Sequence, residues 1–181
     1  MVANHNSHAD GVTLMTSVPV DRLAKTYPVA AEDYFGKSKL SAFLSWFLIN
    51  LLLIPRKRDK KNPKRDPIFI LDSYLKNGKS LIIFPEGSRG KAGKIQVFKK
   101  GLGHLMKENM NIPIIPVYLE GIGRVLPKGN KIMLPGITKI YFGNPILLEN
   151  ESVEEIVEKA ENAVHDLKNR CDNNNSSNLR E

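Results

Sequence analysis

The chain has 181 residues, the length of about one domain. Hydrophobic residues make up 41% and 13 glycines add to them, so a disordered or collagen-like chain is excluded as the main description. The single cysteine, Cys171, excludes an internal disulfide and any multi-cysteine metal site. The formal net charge of +8 is unevenly placed: residues 1–55 are neutral, 56–66 carry +5, 67–147 carry +8 and 148–181 carry −5. A basic middle of this kind points to an anionic partner, whether nucleic acid, a phosphorylated small molecule or an anionic membrane surface, unless it serves solubility alone.

The elements follow in chain order. The first residues, MVANHNSHADG, lack the basic region and long apolar run of a signal peptide. Val2-Ala3 reads as strand-like and runs into a polar turn, and Asp10 leads a helical stretch, GVTLMTSV. Tyr27–Ala31 reads as a strand. Leu40–Pro55 is the longest apolar stretch. It is interrupted by Ser41, Ser45 and Asn50 and is shorter than the ~20 residues of a bilayer-spanning helix. It reads as a buried or interface-lying helix followed by a strand over Leu51–Ile54, with Leu40, Phe43, Leu44, Phe47 and Leu48 at helical spacing and Trp46 off that stripe. Ile68–Asn77 reads as a helix stopped by Gly78, Leu81–Phe84 as a strand and Lys99–Met110 as a helix. Ile112–Leu119 reads as a strand whose Pro113 and Pro116 suggest an edge or a bulge. Ile132–Leu134 and Lys139–Phe142 suggest a strand pair about Pro135-Gly136. Glu151–Lys168 is amphipathic, with Val153, Ile156, Val157, Ala160, Val164 and Leu167 on one face and acidic residues at its start. The polar run CDNNNSSNLRE from Cys171 is expected to be disordered. The pattern is α/β: one domain with a mixed central sheet flanked by helices.

Two segments carry chemistry. In Asn4-His5-Asn6-Ser7-His8-Ala9-Asp10, a histidine lies five residues before a carboxylate across a turn. The carboxylate can accept the proton of one ring nitrogen and leave the other as a base toward a hydroxyl. That is the acid–base half of a serine-protease-type relay without a protein nucleophile. Asp10 reads equally as the lead or cap of the helix, and Ser7 as a cap of the turn. His8 invites a metal reading, but the His-x-His-x-Asp-His pattern of metallo-hydrolases and a third clustered ligand are both missing, so no metal is expected. In Leu81–Gly90, LIIFPEGSRG, an apolar strand empties into a glycine-rich loop holding Glu86 and Arg89. Loops at the carboxyl ends of strands are where open α/β sheets bind ligands, and Arg89 offers donors suited to phosphate or carboxylate. A surface turn with a local ion pair is the plainer reading. The run lacks the Gly-Lys-Ser/Thr ending of a P-loop. Arg56-Lys57-Arg58 and Lys99-Lys100 offer further anion contacts.

Asn-His-x-Ser-x-x-Asp, then Phe-Pro-Glu-Gly-Ser-Arg, then Ile115-Pro116-Val117, in that order, resemble the glycerolipid acyltransferase family, whose best-known members are the 1-acyl-glycerol-3-phosphate acyltransferases. The resemblance spans roughly residues 2–148. It implies that His5 is the general base and Asp10 its orienting partner. It implies that Arg56, after the apolar strand in LLLIPR, and Glu86, Gly87, Ser88 and Arg89 bind the acceptor, and that Ile114–Val117 shape a pocket. The glycine usual before that first arginine is not evident here. It further implies acyl-CoA or an acyl-carrier protein as co-substrate with no other cofactor, a lysophospholipid acceptor, and peripheral association with an anionic membrane on its cytoplasmic side. On this resemblance the acyltransferase domain covers 1–170 and a polar tail covers 171–181. Family members usually have a segment before the first motif, so the domain is expected to be shortened at its front. Transfer to another lysolipid and catalytically inactive lipid binding are the alternatives. A nucleic-acid module is disfavoured, because residues 56–65 lack interleaved aromatics and match no recognised module.

Overall fold

The computed structural model describes residues 1–7, 9–35, 50–57, 62–125 and 134–177. The helix expected from Leu40, with Trp46, falls outside the described residues, as do His8, Arg58 and positions 132–133. The described residues form two compact units: residues 1–10 with 84–181, and residues 11–83. The α/β class holds. Among the described residues six strands join in two three-stranded sheets, one in each unit, where the sequence pattern suggests one.

In the first unit the sheet order is β1 (Val2–Ala3), β5 (Pro116–Glu120), β6 (Lys139–Phe142). β1 runs parallel to β5, pairing Val2 with Pro116 and Ala3 with Val117, and β6 runs antiparallel to it, so this sheet is mixed. β5 is therefore central, not the edge strand its prolines suggest. Pro116 is its first residue, where a missing N–H leaves the rest of the ladder intact. Being covered on both sides, β5 buries Pro116, Val117, Tyr118 and Leu119. The long helix of this unit runs Val153–Ser177 and begins with a capping box. The Ser152 hydroxyl accepts from Glu155 N at 3.2 Å, and the Glu155 carboxylate accepts from Ser152 N at 2.7 Å. Its inner face, Ile156, Ala160, Val164, Leu167 and Cys171, is at most 7% exposed and packs on β5 and on the helix Gly101–Lys107. Each large apolar side chain so buried contributes roughly 1.5–3 kcal/mol.

This helix corrects the expected tail. It passes residue 170 and continues to Ser177, because Cys171, four residues after Leu167, extends the buried stripe by another turn.

The second unit holds β2 (Thr26–Ala31) between β3 (Leu52–Ile54) and β4 (Ser80–Ile82), both parallel to it. Its main helix, Pro67–Lys76, packs on β4. Asp66 caps it by accepting from Ile68 N at 2.8 Å, and proline stands at its first position. Leu71 and Leu75 are buried, and the chain turns out at Gly78 with φ +68°, a conformation suited to glycine. The six-residue helix Asp10–Met15 carries the chain from the first unit into the second. No helix among the described residues is long and apolar enough to cross a membrane.

Candidate active site

The site lies in the first unit and starts where β1 ends. Asn4 is fully buried, and its side chain stands in for the next rung of the ladder. Its Nδ2 donates to Leu119 O at 3.1 Å and its Oδ1 accepts from Leu119 N at 2.7 Å. The strand is thereby closed off, and His5 is the first residue beyond it.

Asp10 has no exposure. Its Oδ2 accepts from the backbone N of Asn6 at 2.7 Å and of Ser7 at 2.9 Å, and lies 2.8 Å from His5 Nδ1. An oxygen that already accepts two N–H bonds acts as acceptor toward the ring as well, so Nδ1 carries the hydrogen and Nε2 keeps a free lone pair. The two readings of Asp10 therefore coexist: it leads the helix, ties the turn and orients the imidazole. Ser7 is buried, and its hydroxyl accepts from Ala9 N at 3.2 Å, in keeping with a turn cap. Asp10 Oδ1 is buried and has no hydrogen-bond partner among the described residues.

The loop at Phe84–Gly90 holds the other side of His5. The imidazole stacks on Phe84, with centroids 4.4 Å apart and planes 21° from parallel. His5 N donates to Glu86 Oε1 at 2.9 Å, and His5 O accepts from Gly90 N at 2.8 Å. Both main-chain groups of the histidine are thus fixed by the second motif, while its side chain stays 22% exposed. Preorganisation of this kind is what a general base requires.

Glu86 is 2% exposed, and its second oxygen accepts from Gln96 Nε2 at 3.0 Å. Its carboxylate, expected among acceptor contacts, braces the His5 backbone and the Gln96 side chain. Burial pushes its pKa up to about 7, against the lowering effect of the hydrogen bonds from His5 and Gln96, and the nearby Asp10 charge adds to the rise. Gly87 is exposed and has φ +68°, so the loop turns there in a conformation few other residues adopt. Ser88 is also exposed, and its carbonyl accepts from Gln96 Nε2 at 2.9 Å. Arg89 is half-buried. Burial lowers its pKa, and Asp10 opposes that effect, so the arginine stands in the field of the same carboxylate that orients His5.

His5, Asp10, Glu86, Gly87, Ser88 and Arg89 all belong to this unit. Arg56 belongs to the other, where it is exposed and its Nε donates to Asp33 Oδ2 at 2.6 Å. Ile114 is buried and bridges to Ile146 beside the central strand. Among the described residues no three His, Cys, Asp or Glu side chains are grouped to hold a metal ion.

Three supporting residues escape sequence reasoning. Asn4 stands in the motif, but only the ladder gives it a role. Asn6 places its amide against the carbonyls of His5, Lys91 and Lys94 at 3.1 Å each; with Nδ2 assigned to that side, as three acceptors require, it anchors the turn to the following loop. Gln96 sits in an aperiodic stretch, ten residues beyond the glutamate it supports, and no local signal marks it.

A family model described as acyltransferase matches residues 1–120. A chloroplast 1-acyl-sn-glycerol-3-phosphate acyltransferase of Brassica napus is 27% identical over 150 residues, covering 80% of this chain and 40% of that protein. The 1-acyl-sn-glycerol-3-phosphate acyltransferase of Saccharomyces cerevisiae is 28% identical over 165 residues, covering 89% of this chain and 51% of that protein. The chain thus spans about half the length of the curated relatives it matches. The crystal structure of the 1-acyl-sn-glycerophosphate acyltransferase of Thermotoga maritima superposes with a TM-score of 0.66 over 93% of this chain and 64% of that one, at 23% identity, a likeness of fold.

Proposed function

The chain belongs to the acyltransferase family, and from that premise we propose that it moves a fatty acyl group from an acyl thioester to the free hydroxyl of a 1-acyl-glycerol-3-phosphate. The observation that carries this reading is the 2.8 Å contact between His5 Nδ1 and an Asp10 oxygen pinned by two backbone N–H groups. The relatives named for this reaction on this acceptor support the choice of substrate.

His5 Nε2 takes the proton of the acceptor hydroxyl as its oxygen attacks the thioester carbonyl. The C–O bond forms, the tetrahedral intermediate collapses with loss of the C–S bond, and the departing sulfur takes the proton back from the imidazolium. No acyl-enzyme is required, since the thioester is already activated. Asp10 stabilises the imidazolium through a charge-assisted hydrogen bond. Arg89 binds the acceptor phosphate, with Gly87 and Ser88 on the same loop allowing close approach. Glu86 acts through His5, whose backbone it holds. The donor is acyl-CoA or an acyl-carrier protein, and no further cofactor enters the chemistry. Because the acceptor is a lipid and residues 56–66 carry net +5, the protein works peripherally at an anionic membrane surface on its cytoplasmic side.

The test is thiol release from acyl-CoA in the presence of 1-acyl-glycerol-3-phosphate. His5→Ala is expected to abolish acceptor-dependent release, since loss of a general base costs about 10²–10⁴-fold. Asp10 keeps its bonds from Asn6 N and Ser7 N, so the variant is expected to fold. Unchanged turnover in that variant overturns the mechanism.

A further inference from the structure

Two adjacent lysines precede the helix Gly101–Lys107, and the structure separates their roles. Lys100 Nζ donates to Glu154 Oε1 at 2.7 Å and is committed to that surface pair. Lys99 makes no ion pair or side-chain hydrogen bond among the described residues. Its backbone N donates to Pro85 O at 2.9 Å, which ties it to the loop carrying Glu86, Gly87 and Arg89. Its side chain then lies across Gly87. A Cβ placed on that glycine would stand 2.6 Å from Lys99 Nζ and 3.1 Å from Cδ and Cε. Gly87 thus serves the turn through its positive φ and leaves room for the ammonium through its missing side chain.

We infer that Lys99 is a second cation of the anion site on this loop and, with Arg89, takes the phosphomonoester of the acceptor. A phosphomonoester carries a charge near −1.5 to −2 at neutral pH, more than one guanidinium neutralises. Arginine supplies a planar fork of donors, and lysine supplies a compact charge with three movable ones. An exposed ammonium held beside the loop without a carboxylate partner is suited to the remaining charge. The identity of the ligand rests on the acyl-transfer reading; the position of Lys99 rests on the loop geometry alone.

Titration calorimetry of the full chain tests this with two probes, glycerol 3-phosphate for the acceptor headgroup and coenzyme A for the donor phosphates. Lys99→Gln is expected to raise the Kd for glycerol 3-phosphate about tenfold, the effect of losing a hydrogen bond to a charged group. Lys100→Gln is expected to leave that Kd within about twofold, as befits an exposed pair. Coenzyme A should bind all three proteins alike. An unchanged Kd in Lys99→Gln, an equal loss in Lys100→Gln, a loss confined to coenzyme A, or no saturable binding by the unsubstituted chain overturns the inference. Thiol release measured on the same samples separates the two readings. A loss of glycerol 3-phosphate binding specific to Lys99→Gln, with no turnover in the unsubstituted chain, upholds the anion site and removes the acyl-transfer reading.

Discussion

Carboxylates pair with basic side chains in both units under opposite conditions. Around His5, the carboxylates of Asp10 and Glu86 are at most 2% exposed, and backbone N–H groups fix them. In the second unit, Arg56 pairs with Asp33 and Arg65 with Glu32, and all four side chains are 45–58% exposed. The contact distances barely differ: 2.8 Å for His5–Asp10 against 2.6 and 2.9 Å for the two surface pairs. What differs is water. An exposed pair trades one solvated partner for another and is worth about 0–1 kcal/mol. A buried carboxylate has nowhere to turn, so its position, and that of the ring it holds, is fixed before any ligand arrives. Charge density marks the surface segment in the sequence, and burial marks the site in the structure.

The sharpest way to strain this contrast is at Asp10. In Asp10→Asn the backbone N–H groups of Asn6 and Ser7 select the orientation that keeps an oxygen in place of Oδ2. The amide nitrogen then falls where the unpartnered Oδ1 now lies. The turn and the His5 tautomer survive, and the variant loses the negative charge that stabilises the imidazolium. A kcat lower by about 10²-fold is expected, within the range for general-base catalysis, with a nearly unchanged KM for the acceptor. Asp10→Ala instead strands two buried N–H groups, each costing about 1–3 kcal/mol, so its thermal midpoint falls as well. Equal midpoints for the two variants would show that the carboxylate does not organise the turn.

Glu86 gives the next largest effect, read in stability. Its pKa is about 7 in the folded chain against 4.5 for the ordinary carboxyl, so the folded state holds the extra proton between those values. Stability attributable to Glu86 is therefore present below pH 4.5 and is lost as pH rises to 7, by about 3 kcal/mol at 1.36 kcal/mol per pH unit. Glu86→Gln has no such titration. Denaturant unfolding at pH 4.5 and 8 should show the variant gaining on the unsubstituted chain by about that amount at the higher pH. A gap independent of pH would mean that the carboxyl is not desolvated.

How much of this was readable in advance depended on distance along the chain. His5 and Asp10 are five residues apart, so their meeting needs only one turn, and the spacing announces it. Glu86 is 81 residues from His5, and its contact with the histidine backbone is a product of the sheet and the loops it positions. Sequence spacing has no access to it, and a conspicuous carboxylate in a glycine-rich loop reads naturally as a ligand contact. The same holds for the elements. The helix expected over Ile68–Asn77 was legible from its terminal Gly78, a local signal, and it forms over Pro67–Lys76. The helix Gly101–Lys107 stops short of the expected Met110 because Asn109 turns inward. Its backbone N donates to Met106 O, and its buried side chain donates to Leu105 O. At Cys171 the local signal misleads in the other direction. The residues after it are poor helix formers, yet burial of one thiol in line with Leu167 carries the helix on. The division of strands between two sheets is long-range throughout.

The smallest expected effect completes the contrast. Arg56 stands in the most basic segment, after an apolar strand, and by charge alone rivals Arg89 as a phosphate ligand. Its side chain is 45% exposed and bonded to Asp33, itself 58% exposed. Arg56→Gln is therefore expected to shift unfolding stability by less than about 1 kcal/mol. The acceptor KM, measured by thiol release at ordinary ionic strength, is expected to rise by no more than about threefold, as for one screened surface charge that steers an anion without holding it. Arg89→Gln in the same assay is expected to raise it by tenfold or more, since a charge-assisted bond to phosphate is worth about 1.5–3 kcal/mol. If added salt erases the Arg56 effect and leaves the Arg89 effect standing, the two arginines differ in screening, as their exposure requires. A salt-resistant loss at Arg56 equal to that at Arg89 would place both on the ligand and break the division between solvated surface and organised site.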